Sequence, residues 1–183
     1  MTEQATNKNI EQAVLAGGCF WCIEAAYNSL QGIVSATSGY MGGEGVPSYE
    51  AVCKGDTGHA EVVKLEFDAN IISYQEILEI FFTLHNPTQL NRQGNDIGSQ
   101  YRSEIFVYDE QQSKIARNII EALTVAQSFD EAIVTQVTPV SEFFPGEDYH
   151  QEYFNNNPEN QYCQAVVSPK LAKFRQTFVS KLK

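Results

Sequence analysis

The chain has 183 residues, 43% hydrophobic and 11% aromatic, which is enough to bury a sizeable core and excludes disorder over most of its length. A formal net charge of −11 repels polyanions, so nucleic acid and anionic membrane surfaces are excluded as partners. Four cysteines are too few for the disulfide framework of a secreted scaffold and point to catalytic, metal-binding or buried roles.

The first twelve residues, MTEQATNKNIEQ, lack the basic and apolar regions of a secretory signal, and residues 1–10 read as a frayed tail. The longest mostly apolar run, Val14 to Ile23, is far short of the roughly 20 residues of a membrane span. A cytoplasmic, monomeric protein is expected, and with no repeat or linker in sight it is read as one domain over 1–183.

Ala13 to Ala16 predict a buried strand, Gly17-Gly18 a tight turn, and CFWCIEAAYNSL a helix ending before Gly32. Ile33 to Tyr40 predict a second strand. Val62 to Phe67 alternate apolar and charged residues as a half-buried strand does, with Val63, Leu65 and Phe67 facing the core. Ser73 and Glu76 form a capping box ahead of the helical stripe Ile77, Ile80, Phe81 and Leu84. Asn86 to Arg102 read as a glycine-rich loop, and Glu104 to Tyr108 as a strand. Asp109 caps a helix with Ile115, Ile119, Leu123 and Ala126 on one face. Ala132 to Val140 read as a strand and Phe143 to Gln164 as a long aromatic loop. A last helix opens at Ser168-Pro169, and the basic residues gathered there, Lys170, Lys173, Arg175, Lys181 and Lys183, read as a solvated helix face. Together the elements favour an α+β two-layer sandwich with a mixed sheet and a long irregular C-terminal segment. A doubly wound α/β sheet is the alternative, but two of its connections would be too short.

The segment GGCFWCIE, from Gly17 to Glu24, concentrates the chemistry. A cysteine at a helix start meets unpaired backbone N–H groups and the positive end of the helix dipole, both of which favour a thiolate. Cys19 is therefore a candidate nucleophile. Cys19 and Cys22 could also form a redox pair, half of a zinc site or part of a core. The zinc site lacks its second half, since Cys53, Cys163, His59, His85 and His150 are scattered without ligand spacing. Phe20 and Trp21 suggest a pocket for a small apolar group, and core packing explains such a pair equally well. Counting back by twos from Phe67 places Glu61 on the inward face, where desolvation would keep its carboxyl protonated and fit for general acid catalysis, whereas a strand that begins at Val62 leaves it at a solvated rim.

Further segments complete a pattern: SGYMGG around Tyr40, GDTGHAEVV from Gly55, HNPT from His85, RQGNDIGSQYRS from Arg92, DYHQEYF around His150 and QYC at Cys163. In this order, over nearly the whole chain, they resemble the peptide methionine sulfoxide reductases of the A type. The resemblance implies a ferredoxin-like core and a reaction in which the Cys19 thiolate attacks an S-epimer sulfoxide and becomes a sulfenic acid as methionine leaves. It implies that Glu61 protonates the sulfoxide oxygen, that Tyr40 and Tyr101 donate to that oxygen, and that Asp96 organises the site. Phe20 and Trp21 match the methyl pocket. His150 and Tyr153 fall in a matching segment without an assigned role.

The resemblance also implies a resolving cysteine near the C-terminus and reduction by thioredoxin, for which dithiothreitol substitutes in vitro. No bound cofactor and no metal are expected, and the substrates are free or peptide-bound methionine sulfoxide. Cys163 fits the resolver, swinging in on a flexible Asn-rich loop. Cys22 departs from the glycine of many relatives and is the alternative, because positions i and i+3 share a helix face. Cys53 reads as an inert packed thiol. A plain disulfide oxidoreductase using Cys19-Cys22 and a binding module indifferent to Cys19 are the competing functions.

Overall fold

The computed structural model describes residues 7–183. Its central feature is a six-stranded sheet of order β7-β6-β1-β3-β2-β8, where β1 is Ile10–Gly17, β2 Ile33–Met41, β3 Ala60–Asp68, β6 Ser103–Val107, β7 Gln136–Pro139 and β8 Phe144–Pro145. Only β6 and β7 pair in parallel; the remaining neighbours are antiparallel. The sheet is therefore mixed, and the antiparallel centre rules out the doubly wound alternative. Helix α1 (Phe20–Asn28) joins β1 to β2, and α3 (Tyr74–Leu84) joins β3 to β6. Each connects two strands that flank a third between them, a split β-α-β arrangement compatible with the ferredoxin-like expectation.

The two faces of β3 separate as its alternation demands. Val63, Leu65 and Phe67 join the main core under α1 and α3, while Ala60 and Val62 join a smaller cluster with Val14, Met41 and Phe106 on the other face. The Ser73–Glu76 capping box is present at the start of α3, and Asp109 caps α4 (Glu110–Val125) by accepting from the backbone of Gln112 at 2.8 Å.

Several boundaries differ from the sequence expectation for physical reasons. β1 begins at Ile10, three residues before the apolar run, because Ile10 to Gln12 pair with Asp68 to Glu66 whatever their side-chain polarity. Asn9 continues this tie, its carbonyl accepting from Ala69 at 2.8 Å, so the described part of the expected tail is held to the β3 end. Residues 1–6 of that tail lie outside the described residues. The expected loop over 86–102 contains a small hairpin, β4 (Arg92–Gln93) with β5 (Asp96–Ile97), and a 3-10 turn at Ser99–Tyr101. The strand expected over 132–140 is confined to β7. A five-residue helix, α2 (Tyr49–Cys53), capped by Ser48, was not foreseen.

The C-terminal segment wraps the sheet as a strap. The Gln151 side chain accepts from Ser38 N at 3.0 Å and donates to the carbonyls of Ser38 at 2.8 Å and Gly146 at 3.1 Å. Glu24 accepts from Glu152 N at 2.9 Å. After the short α5 (Tyr153–Asn156), Asn160 accepts from the backbone N–H groups of Tyr162 and Cys163, and the chain turns helical. Cys163–Val167 form a π-turn that runs into α6 (Ser168–Thr177). Pro169 has no N–H to offer the preceding turn, which accounts for the widened ladder just before it. Cys163 is thus a buried helical residue, not the end of a flexible loop.

Candidate active site

The turn between β1 and α1 carries the site. Gly18 has φ +87, a left-handed conformation, and a Cβ there would meet Gln93 Cγ at 2.8 Å. Glycine lets the chain reverse tightly enough to leave Cys19 as the N-cap of α1. Cys19 is half-buried in a cleft of about 280 Å³ that it shares with Trp21, Tyr49, Glu61, Asp96 and Tyr101. Strand β3 brings Glu61 there from the inward face, 2% exposed, with its Oε1 accepting from Phe20 N at 3.3 Å.

Burial sets the proton inventory. The Glu61 carboxyl is pushed up to about 8 by desolvation, against the opposing pull of the Phe20 N–H, so it is an acid at neutral pH. Cys19 is pushed up as well, by desolvation first and then by the neighbouring Cys22 and Glu61, and the Trp21 N–H that acts on its sulfur does not outweigh this. The thiolate favoured by the helix start is therefore not the resting state of Cys19. Its hydrogen bond to Cys22 and the charge of Lys170 lower Cys22 instead, so the pair shares its negative charge toward Cys22.

Trp21 is held as a plate. Its ring stacks on Tyr153 at 3.8 Å and 8°, its Nε1–H donates to His150 Nδ1 at 3.1 Å, and Tyr162 meets it edge-on at 5.8 Å. His150 Nε2 lies 3.1 Å from Glu147 Oε2. Burial lowers the His150 pKa, so the ring is neutral, accepting through Nδ1 and carrying its proton on Nε2. Glu147 also accepts from Tyr49 N at 3.0 Å and from the Tyr40 hydroxyl at 3.2 Å.

Tyr40, expected to face the substrate oxygen, is turned away. It lies buried with its ring 5.7 Å from Phe20 and its hydroxyl committed to Glu147, outside the residues that line the cleft. Tyr49 occupies that wall in its place, brought in by α2. Asp96 does not stand alone either, because Oδ2 accepts from the Tyr162 hydroxyl at 2.6 Å. Cys53 is exposed, in contact with the Tyr49 hydroxyl, and is not a packed thiol. Cys22 and Cys163 are both buried, and Cys163 feels the charge of Cys22. Cys22 is thus the thiol in contact with Cys19 and also the one whose charge reaches Cys163. Among the described residues, no group of three or more His, Cys, Asp or Glu side chains is placed to hold a metal ion. No helix among them is long and apolar enough to cross a membrane.

A half-buried thiol beside a protonated carboxyl and an aromatic plate, on an α+β sheet scaffold, is the layout of a thiol-dependent redox enzyme. Residues 11–182 match the family model described as peptide methionine sulfoxide reductase. The MsrA of Polynucleobacter asymbioticus is 51% identical, over 97% of this chain and 95% of its own length. Among solved structures, reduced Mxr1 of Saccharomyces cerevisiae superposes with a TM-score of 0.78 at 35% identity, covering 86% of this chain and 91% of that one. Mxr1 has also been solved in complex with Trx2. Methionine sulfoxide reductase A of Corynebacterium diphtheriae gives 0.75 at 30%, covering 87% and 80%. The chain belongs to the MsrA family of peptide methionine sulfoxide reductases.

Proposed function

We propose that this enzyme reduces the S epimer of methionine sulfoxide with Cys19 as nucleophile and Glu61 as acid. The observation that carries the reading is their shared cleft: a half-buried thiol facing a carboxyl that burial keeps protonated near neutral pH. The substrate methyl lies against Trp21 and Phe20, and its oxygen points to Glu61, with Tyr49 and Tyr101 as hydroxyl donors. Asp96 acts through Tyr162, which it holds. As the sulfoxide sulfur arrives, Cys19 passes its proton across the hydrogen bond to Cys22 and attacks. Glu61 gives its proton to the oxygen, that oxygen moves to the Cys19 sulfur, and methionine leaves with Cys19 as sulfenic acid.

Recycling follows the line of thiols. Cys22 attacks the sulfenic acid, a Cys19–Cys22 disulfide forms and water leaves. The Cys163 thiol then attacks Cys22, freeing Cys19 as a thiol and moving the disulfide to Cys22–Cys163. Thioredoxin restores the dithiol in the cytoplasm, as the Mxr1–Trx2 complex suggests for a relative. Cys22 thus acts first, because it is the thiol hydrogen-bonded to Cys19, and Cys163, which feels the charge of Cys22, acts second.

The test is single turnover on each epimer of a methionine sulfoxide peptide with dithiothreitol. Reduction of the S epimer alone is expected, and comparable rates on both epimers overturn the reading. Disulfide mapping after one turnover without added reductant is expected to find Cys19–Cys22 in Cys163→Ser and Cys22–Cys163 in the wild type.

A further inference from the structure

Helix α1 carries a buried carboxyl group that the proposed reaction does not use. Glu24 stands three residues after Trp21 on the same helix face, yet it lines no part of the substrate cleft. It is 1% exposed, and among the described residues no cation pairs with it. Burial pushes its carboxyl up to about 7, against the opposing pull of the Glu152 N–H that it accepts. Its two oxygens lie 2.9 and 3.1 Å from Glu152 N, so a group that is costly to bury is committed to a single backbone N–H.

The residue that owns this N–H explains the arrangement. Glu152 has φ +52 and ψ +33, a left-handed backbone that is unfavourable for a residue with a Cβ. Its side chain is exposed, so the conformation is held through the N–H and not through side-chain packing. It lies between the 3-10 turn Asp148–His150 and α5, where it turns the chain so that residues on both sides reach Trp21. His150 on one side accepts from the indole at 3.1 Å, and Tyr153 on the other stacks on the ring at 3.8 Å. Helix α1 thus carries both the plate and the carboxyl group that fixes the loop propping it.

We propose that Glu24 is a positioning residue for the substrate site: by holding the N–H of left-handed Glu152 it keeps His150 and Tyr153 against Trp21 and so sets the face that receives the substrate methyl. The proposal rests on the reading of Trp21 as that face. Glu24 touches no reacting atom, so it acts on binding and leaves the chemical step at Cys19 and Glu61 unaltered.

The test reads the plate and the kinetics separately. Trp21 is the single tryptophan, so quenching of its fluorescence by acrylamide reports on the plate in the absence of substrate. Glu24→Met keeps the length and helix propensity of the side chain but offers only a weak thioether acceptor. It is expected to increase quenching and to raise the KM for a methionine sulfoxide peptide about three- to fivefold, with the single-turnover rate at saturating substrate within about twofold of wild type. Glu24→Gln, which keeps an accepting oxygen, should stay within about twofold of wild type in KM. Adding Glu152→Gly to Glu24→Met should return KM and quenching to within about twofold of wild type, because glycine adopts the left-handed conformation without the hydrogen bond. A general loss of stability at Glu24 would not be repaired by a change at exposed position 152.

KM and quenching unchanged in Glu24→Met, or both raised and not restored by Glu152→Gly, overturn the proposal. A raised KM with unchanged quenching overturns the route through Trp21. Quenching that rises and recovers as expected while KM stays at the wild-type value overturns the reading of Trp21 as the substrate face, and with it the part of Glu24 in binding.

Discussion

The two walls of the substrate cleft are built in different ways. Cys19, Phe20 and Glu61 stand on the β1–α1 turn and on β3, inside a hydrogen-bonded sheet and beneath a helix. The facing wall is the strap, with little regular structure, whose Tyr153, His150 and Tyr162 prop the Trp21 plate that the first turn of α1 carries. The first wall cannot shift without breaking the ladder that folds the protein. The second is fastened by side-chain bonds such as Gln151 to Ser38 and Glu24 to Glu152, and it can open locally at a fraction of the global cost. In the proposed reaction the bond-making atoms stand on the first wall and the props of the Trp21 plate on the second, which predicts chemical steps sensitive to scaffold changes and binding sensitive to strap changes.

The largest test of that division is Cys19→Ser, which is expected to abolish sulfoxide reduction, a loss of at least about 10³-fold in single turnover, while leaving the strap in place. Glu61→Gln comes next, with a loss of about 10²- to 10³-fold in the single-turnover rate at pH 7 and little change in peptide affinity. Because the Glu61 pKa is raised to about 8, the acid is present below that pH, and the wild-type rate should fall as pH rises through about 8. The glutamine variant should lack this fall. The same shift carries a stability sign. A carboxyl raised in the folded state contributes stability in full below its unfolded value near 4.5, and that contribution is lost as pH rises through about 8. Urea unfolding of Glu61→Gln should therefore gain on wild type between pH 5 and pH 9, and a constant difference would show that Glu61 is not buried as an acid.

The rigid wall was also the legible one. Period-two alternation offered the core face for Glu61, with a solvated rim as the alternative, and the Gly17-Gly18 turn placed Cys19 at a helix start, since both signals are local. The cysteine proton inventory was not legible, because the desolvation that pushes Cys19 up depends on what packs over it. Tyr49 was missed for a related reason: a five-residue helix has no periodicity to read, and Tyr40 lay in a plausible strand with its hydroxyl already engaged elsewhere. The strap was the least legible part. Its fastenings join residues 113 and 128 positions apart, and no local pattern announces Gln151 as an anchor, Glu147 as a shared acceptor or His150 as the partner of Trp21.

On the looser wall, His150→Ala removes the acceptor of the Trp21 indole and a ring packed 4.4 Å from Tyr49. The lost hydrogen bond corresponds to about 1 kcal/mol, so KM for a methionine sulfoxide peptide should rise roughly fivefold or more while kcat changes less. A loss confined to kcat would place His150 with the chemistry and erase the distinction between the walls.

The mildest change is the sharpest probe of the strap. Gln151→Ala deletes three hydrogen bonds to the β2 edge and the strap, at Ser38 N, Ser38 O and Gly146 O, without touching any residue that lines the cleft. A stability loss of about 1–2 kcal/mol is expected in urea unfolding, since solvent replaces part of what is removed. Single-turnover chemistry with saturating substrate should stay within about threefold of wild type, because Cys19 and Glu61 remain on the sheet. Amide exchange over the strap, from Gly146 to Cys163, should accelerate more than over β1 and β3. Equal acceleration of strap and sheet would mean that both walls open together as one cooperative unit, and the greater freedom assigned here to the substrate-gripping wall would be wrong.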